Sequence, residues 1–223
     1  MTAPIILVTG ASRGLGREVT RRLAEQGVTV LAGVRSPATM APLPGVEVLP
    51  LDTSDPASIL AAAVTVKARH GHLDVLINNA GVMLDRMGDV LALDADLLHR
   101  TLATNTVGPL RMIQAFASLM PKGSRIVNVS SNGGRLSEPS TWSPAYCISK
   151  TALNAVTIQT AEALRPLGIA VNSVCPGWVR TDLGGPEAPR TLQQGADSIL
   201  WLVQKAPQEL TGGFWRDGEA LPW

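Results

Sequence analysis

Short, almost continuously apolar runs of β-branched and aliphatic residues recur along this chain with helix-length segments between them, and that alternation excludes most folds. A strand with one wet face alternates apolar and polar residues, whereas strands covered on both faces by helices do not. The runs 5–9, 29–34, 47–51, 75–78, 125–130 and 169–175, with a last one near Phe214, belong to the second kind. They predict a mainly parallel sheet of about seven strands. Helices are predicted over 15–26, stopping at Gly27, and from Asp55-Pro56, an N-cap followed by proline at the first helical position. The longest pair is predicted over 95–119 and 145–164, the second closed by Pro166 and Gly168. Repeated strand-helix units connect by right-handed crossovers, so the expected class is α/β, a doubly wound sheet with helices on both faces.

With 223 residues, 45% of them hydrophobic, the chain suits one domain spanning 1–223 with a substantial core. A net charge of +1 without a basic run gives no electrostatic reason for nucleic acid or an anionic membrane as partner. No apolar stretch approaches the roughly 20 residues of a bilayer span, and residues 1–8 enter the first strand without a basic stretch. A cytoplasmic location is expected. Cys147 and Cys175 lack metal or disulfide spacing, and His70-Gly-His72 lacks an obvious third ligand, so no metal is expected.

The first strand runs into Thr9-Gly10-Ala-Ser12-Arg13-Gly14-Leu15-Gly16 and then directly into a helix. In that context glycines let backbone approach a pyrophosphate, and the helix N-terminus offers it free N–H groups; a plain structural turn is the other reading. A Gly-Lys-Ser/Thr ending, which a nucleoside triphosphatase would need, is absent. The end of the second strand normally carries an acid that binds the adenosine ribose. Here 28–46 contains no Asp or Glu; Gly33 stands at the acid's place, with Arg35 following and Arg13 in the glycine loop. Two guanidiniums at one spot suit a 2′-phosphate, which points to NADP(H); two solvated surface arginines are the alternative.

Tyr146 and Lys150 stand four residues apart, on one face if a helix opens there, with Ser130-Ser131 upstream. A phenol with a pKa of about 10 needs roughly 4 kcal/mol to exchange protons near neutrality. An ammonium about 6 Å away supplies about 3 kcal/mol at an effective dielectric of about 20. A neighbouring cation, such as an oxidised nicotinamide ring, could supply the rest. Pro109 lacks an N–H four residues after Asn105, which frees the Asn105 carbonyl to hold water or marks a simple kink.

Thr9-Gly10-x-x-x-Gly14-x-Gly16, Asn78-Asn79-Ala80-Gly81, Asn105, Ser131, Tyr146-x-x-x-Lys150 and Pro176-Gly177 occur in one order over nearly the whole chain. In this the chain resembles the classical branch of the short-chain dehydrogenase/reductase family, with its Rossmann-type fold. The tail 212–223 is similar to that of carbonyl-reductase-type members, which are mostly NADPH-dependent. The resemblance implies that Tyr146 is the general acid, that Ser131 binds the carbonyl oxygen, and that Lys150 lowers the tyrosine pKa and holds the nicotinamide ribose. It implies that Asn105 anchors a water leading to Lys150.

By the same resemblance the cofactor contacts are Gly10, Ser12, Arg13, Gly14, Leu15, Gly16, Arg35, Asp52, Thr53, Asn79, Ala80, Gly81, Tyr146, Lys150, Pro176, Gly177, Val179 and Thr181. Capping a turn is a rival role for Asp52, and fixing the central strands a rival for Asn78 or Asn79. Cys147 is expected to pack. Trp142 and Trp178 either line an open, apolar substrate pocket or belong to the core.

The expected activity is NADPH-dependent reduction of a ketone or aldehyde to an alcohol, with a small carbonyl or alcohol compound as substrate. An NAD-dependent alcohol dehydrogenase and a non-catalytic dinucleotide-binding redox sensor are the alternatives. A homodimer through the two long helices is expected from the family pattern.

Overall fold

The computed structural model describes residues 3–85 and 88–223, so the opening Met1 and Thr2 lie outside the described residues. Its core is one eight-stranded sheet built from β1 (Ile5–Thr9), β2 (Thr29–Val34), β3 (Val46–Pro50), β4 (Val75–Asn78), β5 (Arg125–Val129), β6 (Ala170–Val174), β7 (Phe214–Arg216) and β8 (Glu219–Ala220). The order is β3-β2-β1-β4-β5-β6-β7-β8. All pairs are parallel except β7 with β8, a short antiparallel hairpin that the sequence pattern does not announce. Strand order reverses between β1 and β4, which opens a crevice at their carboxyl ends.

Alternate residues of each strand feed two separate apolar layers, which is why the strands read as continuous hydrophobic runs. Ile6 and Val8 of β1 pack with Val19 and Leu23 of α1 (Gly14–Ala24) and Ile199 of α6 (Leu192–Gln204). Ile5 and Leu7 face the other way, toward Ile59 of α2 (Pro56–His70), Phe116 and Ala161. The N-cap at Asp55 is as the sequence suggests: its carboxylate accepts from Ala57 N at 2.9 Å. Strand and helix ends differ from the predicted spans by a residue or two.

The long segment predicted over 95–119 is present but not uniform. It consists of α3 (Ala95–Leu102), a π-helical turn (Ala103–Val107), α4 (Gly108–Phe116) and a final 3₁₀ turn. Pro109 cannot donate to the Asn105 carbonyl, and the helix widens just before it, with Gly108 N donating to Ala103 O. The partner helix α5 (Pro144–Leu164) begins one residue before its predicted start. Among the described residues no helix is long and apolar enough to cross a membrane.

Candidate active site

At the carboxyl end of β1, Gly10 takes φ +66°, and a Cβ there would stand 2.9 Å from Ala80 Cα. Gly14 takes φ +54° with only Thr181 nearby, so the loop is open on that side. The helix that follows has no side-chain cap: Arg13 occupies the N-cap without bonding the first-turn amides, and no acid stands in that turn. Uncapped N–H groups at a helix N-terminus favour an anion. Asn79 fastens this loop to β4, its Nδ2 donating to Thr9 O at 2.9 Å and Gly10 O at 3.3 Å. Thr9 Oγ1 accepts from the amides of Asn79 and Ala80. Asn79 is thus the loop's anchor, whereas Asn78 fixes the strands by donating to Asn128 Oδ1 at 2.9 Å.

Gly33 pairs with Thr9 across β1 and β2. A Cβ at this position would meet Leu51 Cδ2 at 2.8 Å and Val8 O at 3.2 Å, so an acidic side chain needs Leu51 to move. Arg35 is exposed beside Asp52, whose carboxyl is drawn above its ordinary value by burial but held below it by bonds from Ser54 and by the Arg35 charge. Those Ser54 bonds give Asp52 the turn-capping role as well. Arg13 does not turn toward Arg35. Its guanidinium pairs instead with Asp182, in the loop after β6, at 2.7 Å.

From that same loop Thr181 lies against Gly14, and Val179 is buried against Gly195. Trp178 is exposed, and its indole N–H closes a turn onto Gly184 O at 2.7 Å. Ser12 is half-buried, Leu15 Cδ2 stands 2.8 Å from where a Cβ on Gly195 would be, and Thr53 is buried with its carbonyl oxygen 2.7 Å from where a Cβ on Gly108 would be.

Ser131, Tyr146 and Lys150 converge on the other side of the crevice. Ser131 follows β5 by two residues, and its hydroxyl lies close enough to the Tyr146 phenol to draw its pKa down. Ser130 points away and donates to Asn154 Oδ1 at 2.7 Å, which leaves the second serine for chemistry. Lys150 Nζ lies 5.7 Å from the Tyr146 ring centroid and donates to Val129 O at 2.8 Å. Asn105 Oδ1 and Lys150 Nζ flank Gly81, at 3.4 Å and 3.6 Å from where its Cβ would be. The Asn105 side chain also grips Val82, accepting from its amide and donating to its carbonyl, both at 2.8 Å. Its Nδ2 donates to Ser149 Oγ at 2.9 Å.

Burial dominates the electrostatics of this cluster in the cofactor-free chain. Burial raises the Tyr146 phenol well above its ordinary value, and the Ser131 hydrogen bond only partly offsets this. Burial also pushes Lys150 down, to about 8. The lysine therefore does not by itself acidify the tyrosine: an amine that is partly neutral near pH 8, in a site that penalises charge, supplies a weaker field than a fixed ammonium.

Trp142 is 43% exposed, and its ring stands 5.6 Å from that of Tyr146, so it borders the site and is not core. A cavity of about 330 Å³ opens along the first turn of α5, lined by Val90, Thr141, Pro144, Cys147 and Ile148. Two features of this surround escape motif reading, the Asp85 carboxylate at the start of α5 and the Arg13–Asp182 pair, whereas the tail does not. In the tail Trp223 stacks on Phe214 at 5.4 Å, and its carbonyl accepts from Ser137 N at 2.8 Å. A sharp signal existed only for the tail, in its closing Pro-Trp. Among the described residues no group of His, Cys, Asp and Glu could hold a metal.

The short chain dehydrogenase family profile matches residues 4–191. A 1-hydroxy-2-glutathionyl-2-methyl-3-butene dehydrogenase of Rhodococcus sp. (strain AD45) is 32% identical over 226 residues, covering 98% of this chain and 99% of that one. The short chain dehydrogenase tazN of Aspergillus terreus is 36% identical over 94% of this chain, which spans 50% of that relative's length. The crystal structure of NADPH-bound carbonyl reductase from chicken fatty liver superposes with a TM-score of 0.89 at 28% identity, covering 100% of both chains. A glycine turn on an uncapped helix, a serine, tyrosine and lysine across the crevice, and a profile match over most of the sequence lead to one conclusion: the chain belongs to the classical short-chain dehydrogenase/reductase family of oxidoreductases.

Proposed function

We propose that the chain is an NADPH-dependent carbonyl reductase, converting a ketone or aldehyde of apolar character to an alcohol. The observation that carries this reading is the cluster of Ser131, Tyr146 and Lys150 directly across the sheet's switch point from an anion-receptive helix end. The glycine loop and the α1 N-terminus would hold the diphosphate, Arg35 and Asp52 the adenosine end, and Lys150 the nicotinamide ribose. Gly33 and Arg35 favour NADP(H) over NAD(H), and the related carbonyl reductase was solved with NADPH. NADPH held there would supply the hydride for the carbonyl carbon.

Tyr146 gives its proton to the carbonyl oxygen. Ser131 hydrogen-bonds that oxygen and stabilises the developing negative charge. A phenol held above its ordinary pKa is fully protonated at neutral pH, as a general acid for reduction must be. Lys150 and Asn105, which both approach Gly81, would return a proton to the phenol. The exposed Trp142 face and the neighbouring apolar cavity suit an apolar substrate.

The test follows NADPH and NADH absorbance against a panel of ketones, aldehydes and quinones. Turnover with NADPH preferred is expected, and Tyr146→Phe should lower kcat at least about 1000-fold while NADPH binding stays nearly intact. Turnover retained in the phenylalanine variant rejects the assigned acid. Tight NADPH binding with no turnover on any carbonyl favours a redox sensor instead.

A further inference from the structure

The start of α5 has an unusual cap. Ser143 occupies the N-cap, but its side chain bonds no helix amide. Pro144 follows and has no N–H to offer. The first free amide, Ala145 N, is instead satisfied from a different element: it donates to Asp85 Oδ2 at 2.5 Å. Ser143 Oγ donates to Asp85 Oδ1 at 2.6 Å, so both carboxylate oxygens grip the residues just ahead of Tyr146. Asp85 is 8% exposed, and an acid is rarely buried so far without such partners.

Asp85 lies three residues beyond Val82, which Asn105 holds by two hydrogen bonds. The segment from Gly81 to Asp85 is therefore pinned at both ends, to the π-helical turn at one and to the catalytic helix at the other. Gly88 packs against the same place, a Cβ on it standing 3.2 Å from Asp85 O and in ordinary contact with Pro144. Tyr146 is the next residue after the clamped amide. Its phenol must meet both Ser131 and the carbonyl oxygen, and a misplacement of about 1 Å in such a site can cost about 100-fold in rate.

We propose that Asp85 is a positioning residue for the reaction: its carboxylate fixes the height of the α5 N-terminus against the loop after β4 and so aims Tyr146. The role is geometric, with the negative charge itself dispensable. It rests on the reductase reading, in which Tyr146 is the proton donor. An asparagine fits the same place neutrally, its Oδ1 accepting from Ala145 N and its Nδ2 donating to Ser143 Oγ.

The experiment compares wild type with Asp85→Asn and Asp85→Ala on a ketone that the panel has shown to be turned over. Asp85→Ala is expected to lose at least tenfold in kcat with KM for NADPH within twofold. Asp85→Asn should stay within about threefold of wild type. Hydrogen exchange of the amides of residues 145–150 should quicken in the alanine variant and remain slow in the asparagine variant. Wild-type kcat in Asp85→Ala overturns the proposal, as does an asparagine variant as impaired as the alanine one. If Asp85→Ala does not fold, Ser143→Ala decides: a loss of several-fold in kcat at unchanged NADPH affinity supports the clamp, and no loss overturns it. If wild type turns nothing over, it is the reductase reading that fails, and the exchange rates alone then decide whether Asp85 orders the helix start.

Discussion

Lys150 departs far from the chemistry of a free lysine side chain. Its ordinary value of 10.5 falls to about 8 because burial penalises the ammonium. Between those two values the unfolded chain holds a proton that the folded chain has released, so stability rises with pH across that window. In cofactor-free protein, Lys150→Met should therefore be more stable than wild type by a margin that shrinks by up to about 3 kcal/mol from pH 8 to pH 10.5. Urea unfolding of both proteins at several pH values measures this, and a constant margin would falsify the buried, partly neutral amine. Such a residue was legible in the sequence as a partner of Tyr146, because four-residue spacing puts two side chains on one helix face. Its depth was not, since burial depends on Val129 and the Ser131 turn, which arrive from β5.

Elements set how tightly the site is held. The turn after β5 comes so near α5 that a Cβ on Gly134 would lie 2.7 Å from Lys150 C and 2.8 Å from Lys150 O. Gly134 O also accepts from Thr151 Oγ1 and Asn154 Nδ2, so the turn and the helix are bonded as well as packed. Gly134→Ala must push backbone against backbone, with an expected cost of about 1–3 kcal/mol and a fall in kcat as Lys150 shifts. Denaturant titration together with steady-state kinetics checks both; lost stability with kcat unchanged would mean that the strain is relieved away from the lysine. At this scale the sequence revealed where strands and helices fall, because apolar runs and caps are local signals. The π-helical turn was half visible, as a proline four residues after Asn105, while the direction in which the helix gave way needed Gly108 and Thr53 in three dimensions.

The central sheet is tied together by buried polar groups, of which only Asn78 belongs to a sequence motif. Asn78 donates to Asn128, Asn128 Nδ2 to Thr157 Oγ1 at 2.9 Å, and Thr157 meets Ser173 at 2.8 Å, a buried line from β4 through β5 and α5 to β6. Asn128→Leu strands the Asn78 amide and should lower stability by about 2–4 kcal/mol, read from the urea midpoint at unchanged m-value. A shift well below 1 kcal/mol would mean that these bonds are readily replaced. The strand order also divides labour. In the proposed reading residues toward the β1–β3 side would receive the nucleotide and those toward the β4–β6 side would carry the reacting groups, on either side of the switch point. A polypeptide severed between α3 and β5 would accordingly yield two inert fragments, and recovery of turnover on mixing them would report directly on reassembly.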